Sequence, residues 1–302
     1  MTEGEDAAEL RPLLFSIAYR MLSSVADAED IVQGAYLRYL DYCEQGHPVD
    51  SPRGLLTAIT TRLAIDHLRS ARVQRETYIG PWLPEPLLTS DEPDVADAAV
   101  TADSLSMAFL VLLETLSPVE RAVFLLREVF VYDYDDIARI VGKSPANCRQ
   151  MLVRARRHVD AGRRRFAADS AQRATLADRF FDAAEHGALG PLVELLADDV
   201  AFYGDGGGVG RGLRQPVFGR DRVQRVLDGI FGAYRQFGAR FRRCEINGGP
   251  GLLTFDQEGG LINVLTLDVE DHQICTVRSV INPDKLGHLG LPLSPLARRA
   301  RP

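Results

Sequence analysis

Residues 116–158 read LSPVERAVFLLREVFVYDYDDIARIVGKSPANCRQMLVRARRH, and this stretch decides how the chain is interpreted. Ser117-Pro118 is typical of a helix start, with a capping hydroxyl followed by proline at the first helical position. A second, short helix is predicted over residues 135–141, and Gly142 ends it because glycine readily adopts the left-handed conformation. Ser144-Pro145 then begins a third helix. This order predicts a helix-turn-helix, in which the last helix enters the DNA major groove.

The third helix of this stretch carries side chains suited to contact with DNA. Polar residues near its N-terminal end would reach base edges, and arginines further along would hold phosphates. The candidates are Ser144, Asn147, Arg149, Gln150, Arg154 and Arg157. The alternative is an ordinary three-helix unit with a solvated basic face. The pattern as a whole favours DNA binding.

The net charge at first argues against this interpretation. The chain has 302 residues and a formal net charge of −7. Bases are nevertheless concentrated: residues 51–75 hold five arginines against one acid, and residues 104–168 hold eleven bases against seven acids. Affinity for phosphate depends on the local patch rather than on the mean charge. The chain therefore has two separate segments of positive charge although its net charge is negative.

Several classes of protein are excluded by what the sequence lacks. No apolar run approaches the roughly 20 residues that a membrane-spanning helix needs. The N-terminus MTEGEDAAEL is acidic and has no signal-peptide core, so a cytoplasmic location without membrane association is expected. The four cysteines are scattered and lack metal-binding spacing. Free thiols, no metal and no cofactor are expected at these positions: Cys43, Cys148, Cys244 and Cys275.

The spacing of apolar residues divides the chain into five segments. Residues 7–75 and 104–168 show the i, i+3, i+4 pattern of helices packed on one face. Residues 76–103 form an acidic, proline-rich linker that also contains the sole tryptophan, so part of it is expected to dock on a neighbouring surface. Residues 172–286 combine helices with later strands. Residues 287–302 are a Gly/Pro/Arg tail, predicted to be disordered.

The fourth segment is predicted to be an α+β domain with a curved sheet. Helices are expected around residues 176–184, 192–196 and 221–231. Strands are expected over residues 200–203, 241–246, 251–255, 261–269 and 273–281.

The two helical segments together resemble a bacterial sigma factor of the extracytoplasmic-function type. Residues 27–33 (DAEDIVQ) resemble the helix with which these factors grip the clamp of core RNA polymerase. Residues 52–59 and 62–69 resemble the helix that melts and reads the minus-10 promoter element. Residues 117–121 and 144–150 resemble the module that reads the minus-35 element. Core RNA polymerase and promoter DNA are the partners that this resemblance implies.

The resemblance also assigns residues to these contacts. Core-polymerase binding is expected from Asp27, Glu29, Asp30 and Gln33. An acidic face repels DNA, so it is suited to a protein partner. The alternative is a solvated helix start, where acidic residues are also common and would give the same sequence pattern. Contact with the minus-10 element is expected from Arg62, Asp66, Arg69 and Arg72. Arg62 and Asp66 are also spaced for a simple i, i+4 ion pair, so both interpretations stay open.

The last domain resembles the SnoaL-like, or nuclear-transport-factor-2-like, fold, a cone of curved sheet and helices. Three motifs resemble a subgroup of these sigma factors in which such a domain is fused to the sigma core and regulates it in cis. They comprise Trp82, Leu83, Pro84, Glu85, Pro86, Asp205, Gly206, Gly207, Gly208, Asn282, Pro283, Asp284, Lys285 and Leu286. Relatives often follow the glycines with lysine, where this chain has Val209.

The expected protein is therefore a multidomain, non-enzymatic sigma factor: two all-α domains, the second a helix-turn-helix, and a cone-shaped α+β domain. The alternative is a helix-turn-helix regulator fused to a SnoaL-like domain that binds a small molecule or catalyses a reaction. Related folds use Asp/His or Asp/Arg arrangements for catalysis. The corresponding candidates show no diagnostic spacing: Tyr203, Asp205, Asp268, His272 and Arg278. A ligand of this domain is left open.

Overall fold

The computed structural model describes residues 7–89, 104–163, 170–186, 189–210 and 212–297. The chain divides into two compact units. The first comprises Met1–Glu76, Asp91–Leu105 and Phe109–Gly162, and the second comprises Thr77–Ser90, Ser106–Ala108 and Arg163–Pro302. No helix in the described part of the chain is long and apolar enough to span a membrane.

The first unit begins with three helices packed on one another: α1 (Arg11–Leu22), α2 (Val25–Glu44) and α3 (Pro52–Glu76). Their starts follow from local sequence. The Ser24 hydroxyl accepts an N–H from the first turn of α2, and Ser51 does the same for α3. The apolar stripe of α1 is almost fully buried, as its helical spacing predicted.

The helix-turn-helix prediction is confirmed in the second half of this unit. Its helices are α4 (Met107–Leu113), α5 (Pro118–Phe124), which runs on into a π-helical turn over Leu125–Val129, α6 (Tyr134–Val141) and α7 (Pro145–Arg163). Ser117 and Glu120 form a reciprocal capping box at the start of α5. Gly142 ends α6 with a φ of 66°, in the left-handed region.

The second unit is an α+β domain. Its elements are α8 (Ser170–His186), α9 (Leu189–Leu195), β1 (Leu196–Asp205), β2 (Val217–Phe218), α10 (Arg220–Gln236), β3 (Arg240–Ile246), β4 (Gly249–Phe255), β5 (Leu261–Glu270) and β6 (Gln273–Val280). The strands pair in the order β2-β1-β6-β5-β4-β3. Only the β1–β6 pair among them is parallel. The α+β prediction is confirmed, with β2 as a strand that the sequence pattern missed.

The core of the α+β domain lies between the sheet and helices α8 and α10. Phe180, Phe181 and Phe231 from the helices pack with Phe202 and Val277 from the strands. Each of these side chains is at most 1% exposed. Burying an aromatic or large aliphatic side chain contributes about 1.5–3 kcal/mol, so this cluster holds helices and sheet together. The periodicity of the apolar residues was therefore a sound guide to this domain.

The prediction of a disordered tail over residues 287–302 is wrong for residues 287–297. Leu261 donates its N–H to the Pro292 carbonyl at 2.7 Å, and Ser294 returns a bond to the Leu261 carbonyl at 2.9 Å. Ala297 is fully buried. Glycine and proline suggested disorder, but the start of β5 supplies backbone partners that no local pattern reveals. Residues 298–302 lie outside the described residues.

Reactivity of the four thiols gives a direct check of this fold. Burial raises the pKa of Cys244 and of Cys275 to about 11, and Cys148 is fully buried, whereas Cys43 is exposed. At pH 8 a thiol with such a pKa is only about one part in a thousand thiolate, the reactive form. Iodoacetamide at pH 8 is expected to label Cys43 first, as measured by mass spectrometry. Labelling of Cys244 and Cys275 should accelerate as the pH approaches 10; equal rates at all four cysteines would contradict the structure.

Candidate functional site

Helix α7 has one buried face and one exposed face. Residues every three or four positions along it are buried: Cys148, Leu152, Ala155 and Val159. The opposite face is exposed and polar, with Arg149, Gln150, Arg154 and Arg157. Val153 lies in the middle of this face and is 49% exposed. Val153 was not among the predicted contacts, although its position three residues after Gln150 places it on the same face.

Neighbouring residues orient the polar side chains of α7. The Arg149 guanidinium lies 4.8 Å from the ring centroid of Tyr134, and Arg154 Nε donates to Glu120 Oε1 at 3.1 Å. Burial alone would raise the pKa of Glu120, but hydrogen bonds from Ser117 and Arg154 lower it below its usual value. Glu120 therefore remains an anion that fixes Arg154.

One of the predicted contacts, Ser144, also has a structural role at the start of α7. Ser144 Oγ accepts the N–H of Asn147 at 3.2 Å, so Ser144 is the cap of this helix. Asn147 is half-buried, whereas Arg157 is exposed. Residues on the open face of α7, rather than the cap, are best placed to meet a ligand in solvent.

The acidic face of α2 is partly paired. Asp27 lies 3.4 Å from His67 Nε2, and Glu29 lies 2.5 Å from Arg11. Asp30 and Gln33 are exposed to solvent. Two of the four predicted core-binding residues therefore already have an ion-pair partner, whereas the other two are exposed.

Two leucines extend this surface of α2. Leu37 is 59% exposed and Leu40 is 53% exposed. Leu40 follows the helical spacing of the buried apolar residues Ile31, Val32 and Ala35, yet it is exposed. Exposed leucines beside Asp30 and Gln33 make a mixed apolar and acidic surface, a composition suited to contact with another protein.

Helix α3 places its arginines in different surroundings. Arg62 donates from Nε to the Ile140 carbonyl at 2.8 Å and from Nη2 to the Arg139 carbonyl at 2.7 Å. A cation at these carbonyls stabilises the C-terminal end of α6. The proposed Arg62–Asp66 ion pair does not form; Asp66 instead pairs with Arg69 at 3.1 Å. The side chain of Arg72 lies outside the described residues.

Buried polar contacts also join the first three helices to the helix-turn-helix group within the first unit. The Arg121 guanidinium, 3% exposed, donates to the Met21 carbonyl at 2.5 Å and to Glu114 Oε1 at 2.8 Å. Thr57 Oγ1 lies 2.9 Å from the Tyr132 hydroxyl. Sequence reasoning missed this role of Arg121, because the residue stands inside a motif that the resemblance assigned to DNA recognition.

The three motifs assigned to regulation meet inside the α+β unit. The Asp205 carboxylate is fully buried and accepts the Leu83 N–H at 2.8 Å and the Tyr78 hydroxyl at 2.5 Å. Lys285 Nζ lies 2.7 Å from Asp205 and donates to the Leu83 carbonyl at 2.5 Å. Asn282 Nδ2 donates to the Tyr78 hydroxyl at 3.0 Å. We call this cluster the linker dock: Tyr78, Trp82, Leu83, Asp205, Asn282 and Lys285.

Aromatic rings complete the linker dock. Lys285 Nζ lies 4.1 Å from the ring centroid of Trp82 and 4.9 Å from that of Tyr78. Burial and the Asp205 carboxylate raise the pKa of Tyr78, so its hydroxyl stays protonated and keeps donating. Tyr78 belongs to the dock but to none of the three motifs. An aromatic residue in an acidic linker was the only signal that could have identified it.

Further along the linker, both backbone and side-chain contacts hold it to the α+β unit. Leu88 forms an antiparallel bridge with Ile246 at the end of β3. Asn247 donates its N–H to the Leu87 carbonyl at 2.8 Å, and His288 Nε2 lies 2.8 Å from the Pro86 carbonyl. Residues 77–89 therefore belong to the α+β unit, while residues 90–103 of the predicted linker lie outside the described residues.

The glycine motif is close-packed against the dock. Gly207 has a φ of 58°, and a Cβ built there would lie 2.3 Å from Asn282 Nδ2. Gly207→Ala is therefore expected to displace Asn282 and to cost more than about 1 kcal/mol of stability. The measurement is urea unfolding followed by Trp82 emission. Gly190→Ala, where a Cβ would meet nothing within 4 Å, is the control; equal loss in both variants would contradict the packing.

Comparison with known proteins identifies the family. The chain matches the family of Sigma-70 region 2 over residues 7–73 and that of Sigma-70 region 4 over residues 106–159. It is 36% identical over 310 residues to the ECF RNA polymerase sigma factor SigJ of Mycobacterium tuberculosis (strain H37Rv), covering 99% of this chain and 97% of the relative. The chain belongs to the extracytoplasmic-function (ECF) RNA polymerase sigma factors.

Two further comparisons extend over the whole chain. The probable ECF sigma factor SigI of Mycobacterium tuberculosis is 32% identical over 281 residues, covering 92% of this chain and 93% of that protein. The crystal structure of Mycobacterium tuberculosis SigJ matches with a TM-score of 0.74 and 32% identity, covering 94% of this chain and 98% of that one. The α+β domain is thus part of the likeness. The family predicted from sequence is confirmed, and the protein is a sigma factor that directs transcription.

The catalytic candidates of the ECF factor's α+β domain do not form one cluster. Asp205 belongs to the linker dock. Asp268 forms a buried ion pair with Arg278, whose guanidinium lies 6.0 Å from the ring centroid of Tyr203. His272 is exposed in the turn between β5 and β6. Each carboxylate of this group therefore already neutralises a cation, an arrangement typical of structural ion pairs.

Proposed function

We propose that this ECF sigma factor reads the minus-35 element with α7, contacts core polymerase with α2, and is regulated in cis through the linker dock. The exposed polar face of α7 carries the first part of this proposal. Arg149 and Gln150 lie near the start of the helix, where side chains of a helix-turn-helix reach base edges. Arg154 and Arg157 lie further along, at positions suited to phosphates. Val153 adds an apolar contact suited to a thymine methyl group.

Replacing Arg149 by alanine tests the minus-35 assignment. A bidentate contact to a base edge is worth about 1–3 kcal/mol of discrimination, so the preference for the cognate minus-35 sequence should fall roughly 5- to 150-fold. The measurement is promoter binding by the reconstituted holoenzyme, with cognate and scrambled minus-35 elements. Arg156→Ala is the matched control, because Arg156 pairs with Glu128 at 2.7 Å. Equal effects of both variants would contradict base reading by Arg149.

The α2 surface is the proposed contact with core polymerase. Asp30 and Gln33 lie open on it, with Leu37 and Leu40 continuing the same surface. Apolar side chains supply burial energy, while the acids repel DNA and favour a basic protein partner. Asp27 and Glu29, both ion-paired here, flank this surface and are proposed to contribute through charge.

Contact of Arg62 with the minus-10 element requires its side chain to leave α6. Arg62 now stabilises the carbonyl end of α6, so it becomes available to DNA only when that contact opens. Asp66 and Arg69 are already exposed. We assign minus-10 contact to Arg62, Asp66, Arg69 and Arg72, with Arg62 engaged last.

Regulation in cis follows from where the linker is held. Residues 77–89 follow α3 and form the first part of the linker to the helix-turn-helix segment, and the α+β unit binds them. A bound linker offers less free chain between the two DNA-binding segments than an extended one, and free chain length sets their reach. The α+β domain is proposed to act as this regulator rather than as an enzyme, since its candidate carboxylates hold structural contacts. The protein would work in the cytoplasm, alongside the polymerase.

In vitro transcription tests the proposal as a whole. Core RNA polymerase is supplied with the full chain and a promoter library, and transcripts are sequenced. Promoter-specific transcripts from core plus this chain are expected, and Lys285→Met should change their yield, because Lys285 bridges the linker to Asp205. Absence of transcripts would overturn the minus-35 and core-binding assignments. Unchanged yield from Lys285→Met would overturn regulation through the linker dock alone.

A further inference from the structure

The α+β domain contains a cavity of about 390 Å³ that the sigma activity does not use. It lies between α10 and the strands β1, β5 and β6. Its wall is mostly apolar and includes Phe202, Val226, Ile230, Ile262, Ile281 and Leu296. Cavities of roughly 300–1,000 Å³ with apolar walls and a few polar groups are typical small-molecule sites.

Polar groups in the wall define what the cavity would accept. Ser279 lies in its wall, and its hydroxyl oxygen is held 2.8 Å from Asn263 Nδ2. Arg225 also lines the cavity, is exposed, and forms no ion pair with another described residue. A cation at the opening of an apolar cavity favours a ligand with an apolar body and one anionic end.

We propose that this cavity binds a small apolar carboxylic acid, and that its occupancy is transmitted to the linker dock. The acid's apolar body would fill the space beside Phe202 and Ile281, and its carboxylate would meet Arg225. The proposal of a ligand site depends only on the cavity and its wall residues. The transmission rests on the proposed regulatory role of the linker dock.

The cavity wall and the linker dock share consecutive backbone residues. On β1, Gly204 lines the cavity and Asp205 is the central carboxylate of the dock. At the end of β6, Ile281 lines the cavity and Asn282 belongs to the dock. The N–H groups of Ile281 and Asn282 both donate to the Asp205 carbonyl, at 2.8 and 2.9 Å. A shift of either wall residue therefore moves a dock residue directly.

The linker also packs on the far side of the same wall. A Cβ built on Gly80 would lie 3.0 Å from the carbonyl oxygen of Leu213, a residue that lines the cavity. Leu296, from the short turn Pro295–Ala297, forms another part of the wall.

Two glycines of α10 provide a matched test of the site. Gly229 lines the cavity, and a Cβ built there meets nothing within 4 Å, so Gly229→Leu adds a side chain to the space without a backbone clash. Gly232→Leu makes the same change in the same helix; its nearest new contact is a terminal nitrogen of Arg235 at 3.9 Å. Both substitutions improve helix propensity equally, so they differ only in what they do to the cavity.

The probe is 8-anilinonaphthalene-1-sulfonate, an apolar fluorescent anion, titrated into the full chain. Wild type and Gly232→Leu are expected to bind it saturably, and Gly229→Leu at least about tenfold more weakly. Decanoate should displace the probe, and Arg225→Gln should weaken decanoate while leaving 1-decanol unchanged. Equal probe binding in all three proteins, or no displacement by decanoate, would overturn the site.

Trp82 fluorescence measures whether ligand binding in the cavity changes the linker dock, because Trp82 is the sole tryptophan and it contacts Lys285 in the dock. Decanoate is expected to change Trp82 emission in wild type and Gly232→Leu, with the same midpoint as probe displacement, and not in Gly229→Leu. Displacement without any change in emission would overturn the transmission and leave the site intact. Neither readout uses polymerase, so failure here is distinguishable from failure of the proposed sigma mechanism.

Discussion

Replacing Asp205 by alanine is expected to lower the free energy of unfolding of the α+β domain by about 3–5 kcal/mol. The Asp205 carboxylate has no exposed surface. Its loss leaves Lys285 buried without its anion and removes the acceptor for the Leu83 N–H and the Tyr78 hydroxyl. Breaking a buried ion pair by deleting one partner is far costlier than losing a solvent-exposed pair.

Urea unfolding followed by Trp82 emission measures this loss, since Trp82 contacts Lys285 and belongs to the linker dock. Asp199→Ala is the control, because Asp199 is an exposed carboxylate on the same strand, β1. The double variant Asp205→Ala, Lys285→Met should recover part of the stability by removing the stranded charge. A loss under about 1 kcal/mol for Asp205→Ala would show that the dock does not hold the linker.

The local sequence was sufficient to predict a structural feature wherever the residues that determine that feature lie within a few positions of one another. The capping box at Ser117 and Glu120 and the left-handed end of α6 at Gly142 appear as predicted, because each is set by one helical turn. The long strands of the α+β domain were also predictable, since their apolar residues form a continuous core. These features fix the helix-turn-helix and the fold class before any tertiary contact is known.

Contacts between distant segments were not predictable from such patterns. Arg62 lies in a motif that resembles a DNA-contacting helix, yet its side chain donates to carbonyls 77 and 78 residues away. Leu40 fits the apolar face of α2 but is 53% exposed, because periodicity identifies a face and not what covers it. The motifs of the linker dock were grouped only through family resemblance. Their arrangement, in which one buried carboxylate accepts hydrogen bonds from four donors, depends on the fold.

Replacing Arg121 by alanine is expected to destabilise the first unit by a comparable amount, about 3–5 kcal/mol. The Arg121 guanidinium is buried and joins two helical groups through the Met21 carbonyl and Glu114. Without it, that carbonyl loses a charge-assisted bond and Glu114, which is 21% exposed, loses its counter-ion. Unfolding measured by far-ultraviolet circular dichroism should therefore begin at lower urea, while Trp82 emission from the other unit stays native at its onset.

The control for this second prediction is Arg139→Ala. Arg139 is 78% exposed and pairs with Asp136, so its removal should cost no more than about 1 kcal/mol. A double-mutant cycle with Glu114→Gln isolates the Arg121–Glu114 contribution from the bond to Met21. Should Arg121→Ala instead match the control and reduce only promoter binding, the residue would act on DNA, as the sequence motif alone implied. A large loss of stability would mean that Arg121 serves to join the two helical groups, so that a sequence motif assigned to recognition contains a residue used for packing.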